Sequence, residues 1–180
     1  MLRRITTEDT SAESPSSRKL IVVDDHPEAG HLVSKLLRRA NYEVAELTDL
    51  QATMAALTGL PDVVAGIVVS FSIAGTGACL RLLDALRNHL DPRINELRVL
   101  LISDQSRQQI FCLQAGADGI LLRPFTDTEL VIAVEEMVLR PESDRVGYRR
   151  RTVDQIKDDA PREDPFVSQF DTATATSAFF

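Results

Sequence analysis

The chain has no excess of basic charge and no long hydrophobic run. Twenty Lys and Arg against 27 Asp and Glu leave a formal charge of −7 over 180 residues. That balance argues against general affinity for nucleic acid or an anionic membrane. The longest apolar run, Val63 to Val69, contains Gly66 and is far too short to span a bilayer. Cysteine is scarce: Cys79 and Cys112 both fall in apolar helical patterns, which suits buried free thiols rather than a disulfide. Tryptophan is absent and aromatics make up 5% of the sequence, so aliphatic side chains must build the core. Neither end reads as a targeting signal, since Arg3-Arg4 is followed by polar Thr6, Thr7, Glu8 and Asp9. These absences point to a soluble cytoplasmic protein of one domain with appendages.

What is present is an alternation of strand and helix signals. Residues 1–18, with few large apolar side chains, are expected to be a disordered lead-in. Leu20-Ile21-Val22-Val23 then runs directly into Asp24-Asp25. A continuous apolar run of this kind suits a strand buried on both faces of a parallel sheet. Pro27 can open a helix, whose stripe Ala29, Leu32, Val33, Leu36, Leu37 and Ala40 ends at Asn41. Tyr42–Leu47 reads as an edge strand and Leu50–Leu57 as a short helix. Val63–Val69, Val99–Ile102 and Ile120–Leu122 are the remaining strands. Between them lie helices over 78–89 and around Ile110–Ala115, the second capped by Asp104 and closed by Gly116. Thr126-Asp127-Thr128-Glu129 forms a capping box for a last helix, stopped by Pro141. Five strands alternating with five helices specify a flavodoxin-like (βα)5 fold, a doubly wound five-stranded parallel sheet in a three-layer sandwich.

Ligands of such sheets bind at the carboxyl ends of the strands, which puts Asp24 and Asp25 where chemistry is expected. Two adjacent acids there make a divalent-cation site or a point of charge crowding. A nucleotide- or flavin-binding enzyme would need a Gly-rich or Ser/Thr-rich phosphate loop after the first strand. Asp24-Asp25-His26-Pro27 offers carboxylates that repel phosphate and a Pro without an N–H. A serine hydrolase would need G-x-S-x-G at a strand-to-helix turn, and Val69-Ser70-Phe71 does not supply it. A non-enzyme is expected.

Three stretches carry a resemblance. They are Val22-Val23-Asp24-Asp25, Leu100-Leu101-Ile102-Ser103, and Ala115-Gly116-Ala117-Asp118-Gly119 with Arg123-Pro124-Phe125 downstream. Over residues 19–140 the chain resembles the receiver domains of bacterial response regulators (CheY-like). The resemblance implies two-component or phosphorelay signalling. It also implies an aspartate that ends strand three and accepts a phosphoryl group from a histidine kinase, with Mg²⁺ nearby. In this chain no acid lies between Asp62 and Asp84. Counting back from the next helix puts the acceptor position at Ser70 or Phe71; counting forward from Pro61-Asp62 puts it near Ile67. A serine there lacks a general base, because His26 and His31 belong to the first loop and helix. Arg123 replaces the family's lysine, and Ile120 its switching aromatic; Ser103 matches its hydroxyl residue and Pro124 follows as in the family. The expectation is a degenerate pseudo-receiver without the phosphoacceptor aspartate.

Asp24 and Asp25 then form a vestigial metal site. Mg²⁺ can be held only weakly once a carboxylate is lost, and Arg123 pairing with the acids is the favoured reading. The expected partner is another signalling protein: a histidine kinase, a phosphotransferase, a response regulator or another target. The resemblance offers the face of the fourth helix, fifth strand and fifth helix (Asp104–Gln114, Asp127–Arg140) for partners or a homodimer. Residues 141–180 read as a flexible tail with a helical turn or two at Thr152–Ala160, and with too few apolar positions for a DNA-binding unit. In that segment Arg149-Arg150-Arg151 is balanced by acids. Phe166, Phe170, Phe179 and Phe180 suggest an aromatic interaction motif.

Overall fold

The computed structural model describes residues 18–59, 64–71 and 77–159. Five parallel strands form one sheet in the order β2-β1-β3-β4-β5. They are β1 (Lys19–Val23), β2 (Glu43–Leu47), β3 (Val64–Ser70), β4 (Val99–Ser103) and β5 (Gly119–Leu122). The helices are α1 (Pro27–Arg39), α2 (Leu50–Gly59), α3 (Ala78–Arg87), α4 (Pro92–Asn95), α5 (Gln109–Gln114), α6 (Asp127–Leu139) and α7 (Glu142–Asp159). A 3-10 turn, Ser106–Gln108, precedes α5. This is the flavodoxin-like architecture expected from the alternating pattern, with β2 at the edge.

The unbroken apolar run of β1 follows from its place between two cores. Because side chains alternate along a strand, Ile21 and Val23 enter a cluster with Leu57, Leu83, Leu86 and Cys112, on the side of α2, α3 and α5. Leu20 and Val22 enter the opposite cluster with Val33, Leu37, Leu130 and Met137, under α1 and α6. Polar residues in this strand would face one core or the other. Gly66 in β3 marks a close approach: a Cβ there would lie 2.7 Å from Met137 Cε and 3.2 Å from the Arg98 carbonyl oxygen.

Helix ends largely follow local chemistry. Asn41 takes a positive φ of 65° after α1. Gly116, at φ 104°, donates to the Leu113 carbonyl while Ala117 donates to that of Cys112, closing α5. Thr126 and Glu129 make the full capping box at α6. The Asp104 cap is corrected. It is the Ser103 hydroxyl that accepts from the Gln105 N–H, at 3.2 Å, and the helical turn starts at Ser106 with Gln105 as its N-cap, one residue later than the Asp104 reading needs.

The segment after Pro141 is also corrected. Instead of a flexible tail with one or two turns from Thr152, residues 142–159 form the 18-residue α7, which packs against α5. The helix is tied down by charge rather than by an apolar stripe. Arg145 is buried and donates from Nε and Nη2 to the two Asp118 carboxylate oxygens, 2.8 Å each. Arg149 reaches the same carboxylate at 3.0 Å, as does Arg87 from α3. Val99 completes the shell by donating its backbone N–H to Asp118 Oδ2 at 3.0 Å. Residues 1–17 and the aromatics Phe166, Phe170, Phe179 and Phe180 lie outside the described residues.

Candidate functional site

The carboxyl ends of β1, β3, β4 and β5 converge on the acidic pair. Val23 is paired with Val69, Ser70 with Ile102 and Ser103 with Leu122. Carried one step past the ladder, this register sets Asp24 beside Ser70 and Phe71 beside Ser103, with Asp25 one residue further on. Ile67 pairs with Ile21 in the middle of β3 and is fully buried, so the forward count from Pro61 does not reach the strand end. Ser70 is buried at the end of β3. Phe71 donates its backbone N–H to the Ile102 carbonyl at 2.8 Å, and its ring packs against the α2/α3/α5 core.

Asp24 is held from several directions. Only 4% of its side chain is exposed, because α1 passes closely over it: a Cβ on Gly30 would lie 3.3 Å from Asp24 Cβ. The His26 backbone N–H donates to Asp24 Oδ1 at 2.9 Å. Arg123 Nη2 donates to Asp24 Oδ2 at 3.4 Å, and Nη1 lies 3.6 Å from Asp104 Oδ1. The guanidinium therefore bridges the ends of β1 and β4 from its position just after β5. Asp25 is more open, and His26 Nδ1 sits 3.0 Å from its Oδ1. His31 turns away from the pair, with Nδ1 3.5 Å from Glu46.

The rest of the expected switch is spread along β4 and β5. The Ser103 hydroxyl donates to Gln108 Oε1 at 2.6 Å. Ile120 is half-buried and packs into the same core as Phe71. The Arg123-Pro124 peptide bond is cis.

One atom each from Asp24, Asp25 and His26 lies within 4.8 Å of the others, the one such cluster among the described residues. The donor set fits Mg²⁺ poorly, because that ion seeks a near-octahedral oxygen shell. Here one of three donors is an imidazole, and Arg123 already claims an oxygen of the buried acid. The arrangement can neutralise charge and hold three strand ends together. It presents no carboxylate at the end of β3 to attack a phosphoryl group.

The sequence reading missed a second ionic centre, at the opposite end of β5. In the sequence Asp118 stands out only within the Ala115–Gly119 motif, and Arg149 within an arginine run balanced by acids. The available signal was the spacing Arg145, Arg149, Val153, Ile156, one face of a helix at four- and three-residue steps.

The doubly wound sheet with an acidic pair at its carboxyl edge defines a receiver-type signalling module. The pattern of the response regulator receiver domain matches residues 20–135, and the chain belongs to that family. It is 27% identical over 127 residues to the DNA-binding dual master transcriptional regulator RpaA of Synechocystis sp., which covers 69% of this chain and 50% of the relative. The chain thus spans about half the length of that curated relative. Among solved structures it is similar to the chemotaxis response regulator CheY4 of Vibrio cholerae, at 22% identity and a TM-score of 0.60, covering 69% of this chain and 100% of the other. The receiver domain of NtrX from Brucella abortus matches at 22% identity and a TM-score of 0.60, over 68% and 99%. At these identities the structural likeness concerns the fold. Among the described residues no helix is long and apolar enough to cross a membrane.

Proposed function

We propose that this chain is a receiver without a phosphorylation switch, acting in the cytoplasm as a protein-interaction module of two-component or phosphorelay signalling. The observation that carries this reading is the end of β3. Ser70 is buried there, Phe71 packs into the core, and the sequence holds no acid between Asp62 and Asp84. Phosphoryl transfer to an aspartate needs its oxygen as nucleophile beside a metal. Arg123 supports the same reading, because its guanidinium occupies the Asp24 oxygen that a metal would need. The partner would be a histidine kinase, a phosphotransferase or another response regulator. It would meet the face of α5, β5 and α6, where Phe111 is 65% exposed. We read the chain as a binder of protein rather than DNA, given its charge of −7.

The test is incubation with acetyl phosphate and Mg²⁺, followed by intact-mass measurement. The expected result is an unchanged mass, and a stable phosphoryl adduct mapped to an aspartate overturns the proposal. The Asp24, Asp25, His26 cluster favours a second reading, a metal-binding receiver with an unusual acceptor. Calorimetric titration with Mg²⁺ separates the two. The wild type should show no saturable heat, whereas Phe71→Asp combined with Arg123→Lys, or Ser70→Asp in the same background, should restore binding.

A further inference from the structure

The face of α1 and α6 carries an apolar groove between two helices of opposite charge. The groove encloses about 290 Å³ and is lined by Leu36, Arg39 and Ala40 from α1 and by Asp127, Val131 and Ile132 from α6, among others. Leu32 and Ile132 stand on the same helices at 58% and 49% exposure. The charges are sorted by helix. α1 carries Lys35, Arg38 and Arg39 against Glu28, whereas α6 carries Asp127, Glu129, Glu135 and Glu136 and no Lys or Arg. Arg38 is committed to Glu46 at 2.7 Å, and Glu129 to its capping box. Lys35, Arg39, Glu135 and Glu136 are exposed, and none has an ion-pair partner among the described residues.

We infer that this face binds a second copy of the chain. A two-fold axis running along the groove lays α1 of one copy over α6 of the other, and the reverse. The cations of each α1 then meet the anions of the opposite α6, while the apolar seams of the two grooves close on each other. A uniformly acidic or basic partner would be complementary to half of the face only. A second copy is complementary to all of it. The groove joins α6 to α1, whereas the α5-β5-α6 face has α7 packed against its α5, so self-association moves away from the face that the family resemblance suggested for a homodimer. The inference does not depend on whether the cleft accepts a phosphoryl group.

The experiment is sedimentation velocity of the full chain across the micromolar range, with two charge-reversed variants. The first, Lys35→Glu with Arg39→Glu, makes both helices acidic; the second, Glu135→Lys with Glu136→Lys, adds basic charge to α6. All four positions are exposed, and circular dichroism verifies that the fold is kept. The wild type should form a concentration-dependent dimer. Each variant alone should dimerise more than about a hundredfold more weakly, because like charges face each other. An equimolar mixture should regain dimer, since the acidic α1 of the first variant meets the basic α6 of the second, and the basic α1 of the second meets the acidic α6 of the first. A wild type that remains a monomer overturns the inference and leaves the groove to another occupant, such as residues 160–180. Dimers that survive in both variants, or a mixture that fails to recover, overturn it equally.

Discussion

Replacing Asp118 by Asn tests how α7 is held. The Asp118 side chain is fully buried and receives three guanidinium groups: Arg145 through two bonds of 2.8 Å, Arg149 at 3.0 Å and Arg87 at 3.0 Å. Asparagine keeps the size and the Val99 contact but removes the charge. The Arg145 side chain, 4% exposed, is then left with Glu142 as its remaining carboxylate. Removing one member of a buried ion pair costs about 3–5 kcal/mol, roughly 6–20 °C in melting temperature at this chain length. Removing Arg145 as well, by Arg145→Met, should cost less than the sum of the single losses. The expected coupling is about 1–3 kcal/mol. Urea unfolding followed by circular dichroism gives the four corners of the cycle. Hydrogen exchange should show α7 amides losing protection before those of β1 and β4. Single losses below about 1 kcal/mol, or additivity within about 0.5 kcal/mol, would refute the claim that charge anchors the helix.

Two further outcomes follow from the core. Gly66→Ala should destabilise by about 1–3 kcal/mol, because the new methyl meets Met137 Cε and the Arg98 carbonyl; a gain in the same urea assay would contradict that packing. Burial pushes the Cys79 thiol up to about 12, with Cys112 adding to the effect, and burial pushes Cys112 up to about 11. Both thiols should therefore resist Ellman's reagent at pH 8 and react, two per chain, only on unfolding. Since the folded values lie above the ordinary 9.0, the stability tied to these thiols is intact below pH 9 and falls as pH rises through 11 to 12. Unfolding free energies that stay flat across that alkaline window would contradict the assignment.

The parts of the fold legible in the sequence were those where burial or capping leaves a one-dimensional trace. β1 and β4 lie between two cores, so Leu20 to Val23 and Val99 to Ile102 had to be apolar, and a continuous run is easy to see. The Thr126 and Glu129 pair is equally local, since both partners lie within one helical turn. The missing carboxylate after β3 could be read because the absence covers the whole stretch, whichever position ends the strand. α7 could not be read the same way. Its inward face is built from Arg145, Arg149 and Val153, and arginine counts as a solvent residue in any hydrophobic pattern. Its partner Asp118 lies 27 residues earlier in the chain. Nothing local to either segment discloses the pairing. Asp104 failed for a smaller reason: Ser103, one residue earlier, has a hydroxyl that reaches the Gln105 N–H first.

The anchoring of α7 bears on modularity. The family pattern ends at residue 135, inside α6, and a domain excised there would look complete by homology. It would lack Arg140, which donates to the Asp118 carbonyl at 2.7 Å, and both α7 arginines that neutralise the Asp118 side chain. The excised piece would carry a buried carboxylate with Arg87 as its remaining guanidinium. The folded unit here is thus longer than the stretch the family pattern matches. A chimera joining this receiver to another output segment should place its junction beyond Asp159, where the helix has finished serving the fold.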